Sequence, residues 1–62
     1  MKIETAKKVL KKEADFVGWS VPELMIDIKG MEYPLMIYPK RVLVAYEVVW
    51  NNRYAYDRYE NA

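Results

Sequence analysis

The chain has no cysteine and no histidine, and only one serine and one threonine among its 62 residues. Without cysteine there is no disulfide framework, no thiolate metal site and no thiol nucleophile; without histidine the usual general base and imidazole ligand are missing. Ser20 and Thr5 have no base near them in sequence, so a hydroxyl nucleophile has nothing to activate it. Only two glycines occur and no glycine-rich phosphate loop, and the carboxylates lack the alternating spacing of a calcium loop. Charge of one sign is not in excess. Ten basic residues stand against nine acidic ones, and a net charge of +1 gives no bulk attraction to nucleic acid or anionic lipid. No apolar run exceeds five residues, far below the ~20 that span a bilayer. The opening Met1-Lys2-Ile3-Glu4 carries acid early and lacks the apolar core of a secretory signal, so a cytoplasmic location is expected.

The nine carboxylates read as solvated surface charge, because no two of them share an apolar face and most have a basic neighbour within four residues. A catalytic carboxyl pair needs one buried and one solvated group across a cleft. A non-enzyme with no cofactor and no metal is therefore the expectation.

What the chain does have is apolar and aromatic bulk. The apolar fraction is 53% and the aromatic fraction 15%, which a disordered segment would not carry. No repeat or linker interrupts the sequence, so residues 1–62 are expected to form a single small domain. A domain of this length buries only about 60% of the surface of its unfolded chain. Trp19, Met31, Met36, Tyr38, Trp50, Tyr54, Tyr56 and Tyr59 then exceed what one small core encloses, and the surplus is expected to meet water or another chain.

The first segment places Ile3, Ala6, Val9, Leu10, Ala14 and Val17 at helical steps, with Lys7, Lys8, Lys11, Lys12 and Asp15 on the opposite side. A helix over residues 3–16 is expected, supported by Glu4–Lys8 and Lys11–Asp15 pairs and ended by Gly18 in a left-handed conformation. The middle carries two conflicting signals. Ser20 and Glu23 have capping-box spacing, with Pro22 near a tolerated first-turn position. Against this, Leu24, Ile26 and Ile28 alternate with Met25, Asp27 and Lys29, the period of a half-wet strand. Nine residues make a poor helix but two adequate strands. The preferred reading is a hairpin turning at Lys29-Gly30 and returning as an edge strand from Met31 to Tyr38. In the last third, Val42, Leu43, Tyr46, Val49 and Trp50 form a helical stripe behind Pro39, and no Gly or Pro interrupts residues 40–62. The expected fold class is α+β: N-terminal helix, central β-hairpin, C-terminal helix. A three-helix all-α fold and a helix on a four-stranded antiparallel sheet remain open.

Trp, Tyr and Arg are the residues that most often carry interface free energy, and methionine adds adaptable apolar surface. Trp50, Arg53, Tyr54 and Arg58 are thus the candidate partner-binding patch of a small protein–protein interaction module, expected to be a homodimer or to dock on another protein. The alternative is nucleic-acid binding, in which Lys7, Lys8, Lys11 and Lys12 track phosphates and the same tail stacks on bases. In composition, a cysteine-free, tyrosine-rich domain of this length resembles small phage or mobile-element accessory proteins, which act by docking on a host factor. The stretch from Ile26 to Leu35 resembles the opening hairpin of some phage tail-assembly proteins. That resemblance covers ten residues, contains no discriminating motif and assigns no residue a role.

Overall fold

The computed structural model describes residues 1–52. Within them the chain forms three helices, α1 (Ile3–Val17), α2 (Val21–Gly30) and α3 (Lys40–Asn51), with a short 3-10 turn at Pro34–Met36 between the last two. The architecture is all-α, and the expected central hairpin is not formed.

Helix α1 follows its sequence pattern. Ala6, Leu10 and Ala14 are fully buried at four-residue steps, while Ile3 and Val9 flank them half-buried. Val17 ends the stripe in solvent. Gly18 takes φ 79° and ψ 25°, and the Trp19 amide reaches back to the Ala14 carbonyl at 2.8 Å, the hydrogen-bond pattern that closes a helix through a left-handed residue. On the outer face, Lys11 Nζ pairs with Asp15 at 2.8 Å.

The correction concerns α2. The capping box is made in full: Ser20 Oγ accepts from the Glu23 amide at 3.3 Å, and the Glu23 carboxylate accepts from the Ser20 amide at 3.4 Å. Pro22 occupies the first turn. Leu24 and Ile28 are buried one turn apart, with Val21 and Met25 half-buried beside them, which is a helical stripe. The alternation of Leu24, Ile26 and Ile28 suggests a strand only if Ile26 points inward, and Ile26 is 72% exposed. A ten-residue helix is marginal alone. In this chain it is fixed at its start by the cap and along its length by burial. Burying Leu24 completely contributes about 1.5–3 kcal/mol.

Lys29-Gly30 is accordingly no hairpin turn. Both residues lie in the last turn of α2, and Gly18 alone among the described residues has positive φ. The segment expected as a returning strand, Met31 to Tyr38, is a connector folded on itself. The Met36 amide donates to the Tyr33 carbonyl at 3.1 Å, and the Ile37 and Tyr38 amides donate to the Pro34 carbonyl at 3.0 and 2.9 Å. Pro34 lies within this run and Pro39 follows it, and neither has an amide hydrogen for a strand ladder. The resemblance of Ile26–Leu35 to a phage hairpin fails with it, since those residues are the second half of α2 and the start of the connector.

Helix α3 is expected and is observed over Lys40–Asn51, with Pro39 just before its first residue. Val42, Ala45 and Val49 are buried, and Leu43, Tyr46 and Val48 pack partly against the core. Helices α1 and α3 form the main interface of the fold. Ala6, Ala14 and Ala45, all at 0% exposure, leave room along this seam for large side chains such as Leu10 and Val42.

Candidate protein-docking surface

The connector between α2 and α3 exposes its large apolar side chains. Tyr33 is 66% exposed, Leu35 68%, Met36 84% and Ile37 66%. They belong to a segment held by its own backbone hydrogen bonds. Tyr38, at the end of the segment, is buried, and its hydroxyl donates to the Asp27 carboxylate on α2 at 2.8 Å. Burial, then the hydrogen bond to Asp27 and the negative charges of Asp27 and Glu13, push the Tyr38 phenol up to about 12. Tyr38 thus pins the connector to α2, while Tyr33, Leu35, Met36 and Ile37 face outward. The sequence pattern places Tyr38 among the surplus aromatics; the structure puts it in the core.

Beside the connector runs an open groove of about 550 Å³ between it and α3. Lys40, Leu43, Val44 and Glu47 of α3 line one side; Tyr33, Leu35 and Met36 line the other. A second depression, about 690 Å³, lies between α1 and α3 around Phe16, which is 85% exposed. It is ringed by Lys12, Glu13, Asp15 and Arg41 and offers less continuous apolar surface. The groove by the connector is the better candidate because Ile28, Tyr33, Leu35, Met36, Leu43, Val44 and Tyr46 make most of its lining apolar.

Trp50, the first residue of the expected aromatic patch, adjoins this groove. Its ring stacks on Tyr46, which lines the groove, with centroids 6.2 Å apart and planes 16° from parallel. The Lys29 ammonium lies 4.5 Å from the centre of the Trp50 ring. These contacts tie the end of α3 to α2 and leave Trp50 half-buried. Arg53, Tyr54 and Arg58, the other members of the patch, lie outside the described residues. The candidate nucleic-acid lysines do fall together: Lys7, Lys8, Lys11 and Lys12 line one shallow depression on the outer face of α1 with Asp15. Asp15 is a carboxylate within that cluster and is already paired with Lys11.

Sequence reasoning missed Leu35, Ile37 and Phe16 as exposed apolar residues. A usable signal was the pair of prolines five positions apart around Leu35-Met36-Ile37-Tyr38, which denies that run both a helix and a paired strand. Among the described residues, no three Asp or Glu side chains gather as a metal site, and no helix is long and apolar enough to cross a membrane. No family model matches the chain, and neither the curated proteins nor the solved structures give a match.

Proposed function

We propose that this protein is a small binding module that acts by occupying a protein surface rather than by turnover, and that it docks through the Tyr33–Ile37 connector and the groove beside it. The observation that carries this reading is the exposure of Tyr33, Leu35, Met36 and Ile37 on a segment that Tyr38 holds in place. An apolar surface that is fixed before binding loses little conformational entropy on association. Contiguous exposed apolar side chains of this kind mark interaction sites. Trp50, stacked on Tyr46 at the groove, extends the surface towards Arg53, Tyr54 and Arg58 in sequence, and the contribution of those three is part of the proposal. So is a cytoplasmic setting, since the chain forgoes the disulfides that staple most small secreted domains.

A photo-crosslinking residue at Met36 tests the docking surface against a control at Glu4, which is exposed on α1. In extract from the source cells, position 36 should give a discrete protein adduct, with itself or with another chain, and position 4 should not. Absence of an adduct at position 36, or equal labelling at both positions, defeats the reading.

The grouping of Lys7, Lys8, Lys11 and Lys12 on one face supports a second reading, nucleic-acid binding. Titration with a mixed oligonucleotide at low and moderate salt separates it from the first. Phosphate neutralisation would appear as affinity falling steeply with salt, and no binding at low salt removes it.

A further inference from the structure

Of the five α3 residues that line the groove, Lys40, Leu43, Val44 and Glu47 occupy steps of three, one and three residues and share one helix face, with Tyr46 at its edge. Lys40 and Glu47 are exposed at its two ends, and Leu43 and Val44 are half-buried at its centre. The order is cation, apolar, apolar, anion, with the midpoint falling between Leu43 and Val44. Rotating such a face by 180° about that midpoint lays it antiparallel on itself. Lys40 then meets Glu47 of the other copy, Glu47 meets its Lys40, and Leu43 meets Val44. We infer that the occupant of the groove is a second copy of this chain, paired antiparallel through α3 about a two-fold axis at Leu43–Val44. This rests on the docking surface proposed above and names its partner.

The face is self-complementary in its order of charge and apolar surface, which is what an isologous interface requires of a single patch. With a rise of 1.5 Å per residue, the two Lys–Glu pairs sit on the order of 10 Å apart, one on each side of the apolar centre. Leu35 and Met36 of the connector line the same groove, so their apolar side chains add to the buried surface. A further observation favours an intermolecular role for Lys40. A helix start prefers acidic residues, yet the first turn of α3 holds no acid, begins Lys40-Arg41 and has no side-chain cap. The basic first turn of α3 opposes the helix dipole. It suits an antiparallel neighbour better than it suits the isolated helix.

Charge exchange in the intact chain tests the pairing by sedimentation equilibrium. Lys40→Glu places acid against acid in both symmetric contacts, and Glu47→Lys places base against base. Each is expected to weaken dimerisation about tenfold or more at low salt, from two exposed pairs turned from attraction to repulsion. An equimolar mixture of the two variants should recover the dimer, because every contact in the mixed pair is again between opposite charges. The double variant Lys40→Glu/Glu47→Lys should recover it alone. Lys40→Glu improves the match to the helix dipole and Glu47 is exposed outside both terminal turns, so unfolding is not an expected cause of dissociation, and circular dichroism checks this. A dimer indifferent to the single exchanges, or variants that fail to rescue one another, overturns the inference. So does a wild-type chain that stays monomeric at millimolar concentration. In that case an adduct from Met36 to a different protein would still uphold the docking surface, so the two readings fail separately.

Discussion

Along the α1–α3 seam, Ala6, Leu10 and Ala14 lie inward with Val42, Ala45 and Val49, and none of the six is more than 8% exposed. Around the Pro34 turn, Leu35, Met36 and Ile37 each leave about two-thirds or more of their surface in water. Both regions are apolar in sequence, and the seam is built largely from the smaller residues while the connector holds larger ones. A 62-residue chain that needed every large side chain for its own stability would have the opposite distribution. The core is closed by small residues at the helix contact, and bulk is left at a segment whose backbone is held by its own hydrogen bonds. On the proposed reading, stability rests on the buried seam and association on the exposed connector.

Substitutions that break this division should grade in effect. The largest loss is expected in the seam: Leu10→Ala removes a fully buried side chain at a cost of about 2–5 kcal/mol, enough to unfold much of so small a domain, as a thermal melt followed by circular dichroism will show. Next is the anchor between the two regions. Tyr38→Phe deletes the hydrogen bond to Asp27 and should cost about 1–2 kcal/mol at neutral pH. Because the folded protein holds the Tyr38 proton up to about 12 against an ordinary value near 10, the unfolded chain releases it first on raising the pH. The tyrosine's stabilisation is thus complete below about pH 10 and is lost between about pH 10 and pH 12. Denaturation measured across that window should show the wild type losing its advantage over Tyr38→Phe. A constant gap would mean that the phenol is not held as described.

A smaller effect is expected at the corner between α1 and α2. Gly18→Ala adds a Cβ that meets open space, so its cost is only that of a left-handed conformation, about 1 kcal/mol in chemical denaturation. A chain ended after Asn52 retains the nine buried core residues found among the described residues, and its association can be compared with that of the full chain. If it keeps its associations, the contribution proposed for Arg53, Tyr54 and Arg58 is withdrawn.

How much of this was legible in the sequence differs by segment. Helix α1 was readable because its apolar spacing, its lysine face and Gly18 all agree. Helix α3 is readable from its stripe behind Pro39, although the stripe of Val42, Leu43, Tyr46, Val49 and Trp50 leaves out Ala45, which the structure buries. The α2 region was misread. Its local chemistry, Ser20, Pro22 and Glu23, specified a helix start, but Ile26 lent the stretch a period of two. That residue faces water, and no pattern within the segment says so. The position of Tyr38 depends on Asp27, eleven residues earlier in the chain, and is visible only once α2 and the connector are packed. The surplus of rings points to a docking surface near Trp50. Trp50 turned out to be stacked on Tyr46 and overlain by Lys29, and the most exposed apolar residues between α2 and α3 cluster in the connector instead.

The division between core and docking surface is tested most directly by the melting temperature of Leu35→Ser/Met36→Ser, measured in solution dilute enough for the wild type to be monomeric. Exposed side chains that serve association contribute nothing to the isolated fold, so the midpoint should stay within about 4 °C of the wild type. A fall comparable to that of Leu10→Ala would show that these residues belong to the core, and that stability and association are not divided between the seam and the connector.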